Sequence, residues 1–157
     1  MLEWMRDEDL TRNLHTPFNI ISPADCEEFI RRSWEDKNNL HMAAADDNDA
    51  YMGTVSLKNI DQTAKSAEFA IAFRRCALGT GFSGYAMKEI LRYGLEELGL
   101  EQIYWYVSSE NTRAVRFYDK CGYPRVAPET LRLPVSSSVG TMPNMLFYAV
   151  TIAQFND

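Results

Sequence analysis

The chain has 157 residues, 46% of them hydrophobic, and a formal charge of −6 from 16 Lys plus Arg against 22 Asp plus Glu. That size fits one domain, residues 1–157, around a single core, and the near-average composition excludes a disordered chain or a coiled coil. The negative total argues against a general nucleic-acid binder, and no apolar run nears the ~20 residues that span a bilayer, so a cytoplasmic protein with neither partner is expected.

Leu2 to Leu14 reads as a short helix, and Ser22-Pro23 opens a second with Ser22 as N-cap and Pro23 at the first helical position, running to about Lys37. His41–Ala45 and Ala50–Leu57 flank the turn-forming Asp46-Asp47-Asn48-Asp49 and predict a hairpin. After a turn at Asp61-Gln62-Thr63, Ala67–Phe73 alternates Phe69, Ile71 and Phe73 against Glu68, Ala70 and Ala72, the pattern of a strand. Gly79–Leu98 carries a wide apolar face, with Met87, Leu91 and Leu95 beside Ala86 and Ile90, and predicts a long helix packed on a sheet. Gly99 suits its C-cap. Ile103–Val107 is a β-prone strand, and Asn111 is placed to cap a helix that ends at Gly122. Leu131–Leu133 and Met145–Ile152 read as two strands around the polar loop Ser136–Gly140. The fold class is therefore α/β (α+β), a mixed sheet covered by helices.

Cys26, Cys76 and Cys121 form no C-x-x-C pair and have only His15 and His41 as nitrogen partners, so neither a disulfide framework nor a metal site is expected; each reads as a small buried residue. Trp4, Trp34 and Trp105 read first as core, and both histidines as structural.

Arg74-Arg75-Cys76-Ala77-Leu78-Gly79-Thr80-Gly81 lies between a strand and a helix, where glycines let consecutive amides point at one anion. Two arginines add charge beside it. Gly79-Thr80-Gly81-Phe82-Ser83-Gly84 also spells the dinucleotide fingerprint G-x-G-x-x-G, with Glu110 as the distal acid. Against that stand the five residues between strand and first glycine and the mere 47 residues that follow Glu110.

The strand Ala67-Glu68-Phe69-Ala70-Ile71, the loop Cys76-x-x-Gly79-x-Gly81 and the segment Glu110-Asn111 through Ala114, Tyr118, Lys120 and Gly122-Tyr123 together resemble the GNAT superfamily of N-acetyltransferases, nearest to its RimJ/RimL-like branch. The resemblance covers roughly residues 50 to 126. It implies a mostly antiparallel sheet splayed at the cofactor site, with acetyl-CoA as cosubstrate and a small amine or a protein N-terminus as acceptor. The amides of Leu78, Gly79, Thr80, Gly81 and Phe82 would hold the pyrophosphate, with Arg74 and Arg75 alongside. The strand end Ile71, Ala72 and Phe73 would splay from Tyr104–Val107 and bind the pantetheine arm, and an amide near Ala72 would hold the oxyanion. Asn111 would bond the cofactor near its thioester arm, and Tyr118 would act as general acid and touch the cofactor thiol. Relatives carry a strand before the Trp4–Asp7 stretch, where this sequence begins, so either the sheet lacks an edge strand, which would expose an edge at His41–Ala45, or the true start lies upstream; a monomer or a homodimer is open.

A Lys-like acceptor, with a pKa of about 10.4, costs roughly 4 to 5 kcal/mol to deprotonate at pH 7, so a base or a desolvating pocket is needed. Glu68 is the candidate base, acting through water, with a solvated strand residue as the alternative. Two other readings remain from the sequence: a non-catalytic acyl-CoA-binding module and a dinucleotide-binding protein. The segment 74–125, with eight basic and six acidic side chains, is the only net positive one, which suits polyanionic CoA and leaves the acidic remainder to face a cationic acceptor.

Overall fold

The computed structural model describes residues 1–14, 16–134 and 139–155. Among them, six strands form one sheet in the order β1-β2-β3-β4-β6-β5. The strands are β1 (Leu40–Ala45), β2 (Tyr51–Asp61), β3 (Ser66–Phe73), β4 (Gln102–Ser108), β5 (Arg125–Val126) and β6 (Met145–Thr151). Every neighbouring pair is antiparallel except β3 and β4. A sheet with one parallel pair is not the parallel sheet that a dinucleotide fold requires, which removes that reading of the glycine loop.

The alternation along β3 divides the molecule. Phe69 and Phe73 join Val55, Leu57 and Trp105 on one face, under α4 (Phe82–Arg92), whose Met87, Ile90 and Leu91 are buried. The opposite face packs Ala72 against Trp4, Met5 and Cys26 of the N-terminal helices, and Tyr104, Phe147 and Ala149 against Leu131.

Several elements differ from the sequence expectation. The first helix is two single turns, α1 (Leu2–Met5) and α2 (Glu8–Thr11), because Asp7 turns extended (ψ 102°) and its carboxylate accepts from the amides of Asp9 and Leu10. Helix α3 (Pro23–Ser33) has the expected Ser22 cap, completed by Asp25 as a capping box, but ends before Lys37. There the Asp36 carboxylate takes the amides of Asn38 and Asn39 and turns the chain into β1. Trp34 therefore lies at the helix end with 86% of its surface exposed, not in the core.

Helix α4 begins at Phe82 because Gly79 and Gly81 have φ of +77° and +96°, and its last turn relaxes into a π-helical stretch, Tyr93–Glu97. Leu131–Leu133 is not a strand; its backbone is satisfied by side chains, Ser66 Oγ donating to Arg132 O (2.6 Å) and Arg132 N donating to Gln102 Oε1 (2.7 Å). The edge strand is instead Arg125–Val126, and Ile152 starts a final turn, α6 (Ile152–Phe155), beyond β6. Cys26 is buried as expected, whereas Cys76 and Cys121 are exposed. His15 and Ser136–Ser138 of the polar loop lie outside the described residues. No helix among the described residues is long and apolar enough to cross a membrane.

Candidate active site

Strands β3 and β4 pair at only three positions, Ser66–Gln102, Ala67–Ile103 and Glu68–Tyr104, and then separate. The split leaves Ile71, Ala72 and Phe73 bonded to β2 alone, while β4 continues along β6 to Ser108. This is the splay the sequence led us to expect. It opens toward the glycine loop and toward the N-terminus of α5 (Thr112–Lys120).

The helix starts around the split differ in one respect. Ser22 caps α3 and Asn111 caps α5, its Oδ1 accepting from Ala114 N at 3.2 Å. Helix α4, which Gly81 precedes, has no side-chain cap, so the amides of its first turn have no such partner. A Cβ added at Gly79 or Gly81 would meet nothing within 4 Å, so the loop borders open space. Leu78 has extended backbone, and Thr80 Oγ1 donates to Ala77 O at 2.6 Å, which holds the loop closed from below. Uncapped amides behind two left-handed glycines suit a phosphate.

Arg74 and Arg75 are not free beside this loop. Arg74 is bidentate to Glu3 and also donates to Tyr51 O, and Arg75 pairs with Asp7 at 2.7 Å and Asp9 at 3.2 Å. These bonds hold the Glu3 and Asp7 carboxyls below their usual range. Between Arg75 and α5 lies an open cleft of about 460 Å³ lined by Arg12, Asn13, Glu110, Asn111 and Arg113 as well.

Tyr118 is 7% exposed and packs on Trp105 and Tyr148, with ring centroids 5.5 and 5.2 Å away. Its hydroxyl makes no hydrogen bond to a described residue, and burial pushes its pKa well above the usual phenol value. Trp105 is the first residue of β4 past the last paired position, and its Nε1 is the one buried side-chain polar atom without a partner among the described residues. Nothing in the sequence pattern distinguishes that donor from the indole of an ordinary core tryptophan.

Glu68 occupies the other face, at the last position before the split. It is 8% exposed, and its carboxylate is held by Lys58 Nζ at 2.9 Å and Asn59 Nδ2 at 3.2 Å. It is neither solvated nor free. Its charge raises the pKa of Tyr104 and Tyr106, behind the larger effect of their burial. Trp105 meets Phe69 edge-on and Tyr118 at a tilt, so Tyr118 lies on the Phe69 face and Glu68 on the opposite one. Only the gap between β3 and β4 lets one ligand reach both.

A split parallel pair, backed by an uncapped glycine-led helix and flanked by a capped helix with a buried tyrosine, defines an acyltransferase-type fold. Residues 1–124 match the family model for the acetyltransferase (GNAT) domain, and the chain belongs to that family. It is 30% identical over 99 residues to the spermidine N(1)-acetyltransferase of Vibrio cholerae, a stretch covering 63% of this chain and 57% of that protein. It is 27% identical over 128 residues to the uncharacterized N-acetyltransferase p20 of Bacillus licheniformis, covering 80% of this chain and 72% of that one. The fold matches the structure of the spermidine N-acetyltransferase from Vibrio cholerae in complex with CoA and spermine, with a TM-score of 0.76 at 21% identity, over 99% of this chain and 90% of that one.

Proposed function

We propose that the protein transfers the acetyl group of acetyl-CoA to a primary amine on a small cationic molecule of the polyamine type. The observation that carries the reading is the split between β3 and β4 with Tyr118 on one side and Glu68 on the other. The relatives' names supply the amine class, and the net charge of −6 suits a cationic acceptor.

Acetyl-CoA supplies the activated acyl group. Its pyrophosphate is assigned to the amides of Leu78, Gly79, Thr80, Gly81 and Phe82, where α4 has no side-chain cap. Ile71, Ala72 and Phe73 line the gap with backbone groups that β4 does not use, and an amide near Ala72 holds the thioester oxygen as charge develops there. Asn111 spends its Oδ1 on capping α5, which leaves its Nδ2 to donate to the pantetheine arm. Trp105 Nε1 is a second donor, with no hydrogen-bond partner among the described residues. Tyr118 keeps its proton at neutral pH and gives it to the departing sulfur. Arg74 and Arg75 act at one remove, fixing α1 and α2 against the loop through Glu3, Asp7 and Asp9. Glu68 receives the amine on the far face and takes its proton through water.

The test measures thiol release from acetyl-CoA against a panel of spermidine, spermine, a monoamine, an aminoglycoside and a peptide with a free N-terminus. Turnover is expected with the polyamines above the rest. In parallel, CoA at 100 times its Kd stabilises the fold by about 2.7 kcal/mol. CoA binding without acetylation of any amine identifies a non-catalytic acyl-CoA module instead.

A further inference from the structure

The Glu68 carboxylate already holds an ammonium group, and it belongs to the chain. Lys58 stands directly across from Glu68 in the β2–β3 ladder, and Glu68 stands across from Tyr104 in the β3–β4 ladder, so all three side chains leave the same face in one row. The pairing register then shifts between Lys58 and Asp61, and Asn59 takes a left-handed φ of +52°. A bulge at this point lets two consecutive residues, which a regular strand would send to opposite faces, reach one carboxylate: Lys58 Nζ at 2.9 Å on Oε1 and Asn59 Nδ2 at 3.2 Å on Oε2. The Glu68 side chain is 10% exposed and that of Lys58 38%, so the carboxylate is the buried member and the ammonium sits on the solvent side of it. The Lys58 charge is also felt by His41, whose pKa is lowered first by burial and further by Lys58.

We infer that Lys58 is a specificity-determining residue, an internal cation occupying the position on Glu68 that the acceptor's ammonium group must take. The inference rests on the acetyltransferase reading and adds to it a reason for which amines are accepted. An incoming cation binds only by displacing Lys58, whose stem is long and half-exposed and can swing into water while Asn59 keeps its bond to Oε2. The exchange is of one ammonium for another, so the site gains little from a single positive charge and discriminates by the rest of the acceptor. Removing the Lys58 charge leaves a buried carboxylate open to an incoming cation, so amines bind more tightly and the site discriminates less among them.

The experiment compares wild type with Lys58→Met, Lys58→Gln and Lys58→Arg. Lys58→Gln keeps a hydrogen-bond donor on Glu68 without its charge, so it remains informative if Lys58→Met does not fold. Both neutral variants are expected to lower KM for spermidine on the order of tenfold, with KM for acetyl-CoA unmoved, and Lys58→Arg to retain the wild-type KM. The gain should vanish in Lys58→Gln/Glu68→Gln, which a purely structural role for Lys58 would not produce. Spermidine binding to each variant, followed by calorimetry in the presence of CoA, reads the same competition without turnover. If the wild type acetylates no amine, the acetyltransferase reading fails while calorimetry still decides the role of Lys58. An unchanged or raised spermidine Kd and KM in both neutral variants, or no spermidine binding in any of them, overturns the inference.

Discussion

Tyr118 has a hydroxyl with no hydrogen-bond partner among the described residues, on a ring held by Trp105, Phe117 and Tyr148. Burial raises its pKa, so the phenol is protonated throughout the neutral range and can serve as an acid but not as a base. A thiolate with a pKa of about 8.5 is a weaker base than such a phenolate, so the transfer is uphill and gains from a proton placed in advance beside the leaving sulfur. Tyr118→Phe keeps every ring contact and forfeits no hydrogen bond to a described residue. Its melting temperature should stay close to wild type while kcat falls tenfold or more. An undiminished kcat in steady-state assays would remove Tyr118 from the mechanism.

At the scale of elements, the π-helical stretch after α4 makes a close approach to the sheet. A Cβ on Gly94 would come within 2.7 Å of both Ile103 and Leu57, side chains that are fully buried beneath it. The extra residue per turn lets the helix set its glycine on the sheet and still place Leu95 inward. Gly94→Ala should therefore cost about 1–3 kcal/mol as overpacking, read from denaturant unfolding, although alanine is the better helix former. Stability equal to or above wild type would mean that helix and sheet can part at no cost.

The same scale shows what the sequence could and could not reveal. Strands β3 and β4, helices α4 and α5 and the Ser22 and Asn111 caps were legible, because each rests on periodicity or on a local side chain-to-backbone bond. So was the split, through the family resemblance. The π turn was not, since Gly94 sits inside an unbroken apolar stripe. Leu131–Leu133 was misjudged as a strand because Ser66 and Gln102, far away in the chain, satisfy the backbone of Thr130 and Arg132. The partners of Arg74 and Arg75 were also hidden. They come from α1 and α2, which the sequence joined into one helix, and which break at Asp7, the residue that binds Arg75. Lys58 was missed for a related reason: the strand register sets it across from Glu68, and the bulge beyond it adds Asn59.

For the whole molecule, the charge that first argued against nucleic acid also fixes how the fold responds to acid. Glu3 and Asp7 bind the arginines of the glycine loop, Asp119 binds Arg125 and accepts from Tyr148, and Glu28 is lowered to about 2 by Arg31 and Arg32. The folded pKa values of Glu3, Asp7 and Asp119 are likewise depressed, each chiefly by its arginine hydrogen bond. A depressed carboxyl contributes stability above its unfolded value of about 4 and loses it as pH falls through the folded value, so these pairs hold at neutrality and fail below about pH 4. His41 acts earlier. Burial lowers its pKa, with Lys58 adding to the effect and Asp36 opposing it, while Nδ1 lies 2.7 Å from Ser56 Oγ and the ring meets Phe29 edge-on. The unfolded chain takes up this proton near pH 6.5 and the folded one only at lower pH, so stability falls as pH drops through that interval. Melting temperature followed from pH 8 to pH 3 should decline in two stages, a shallow one beginning near pH 6.5 and a steeper one below about pH 4. His41→Gln, which can still bond Ser56, should flatten the first stage and leave the second. A first stage that persists in this variant would assign the early loss to a group other than His41.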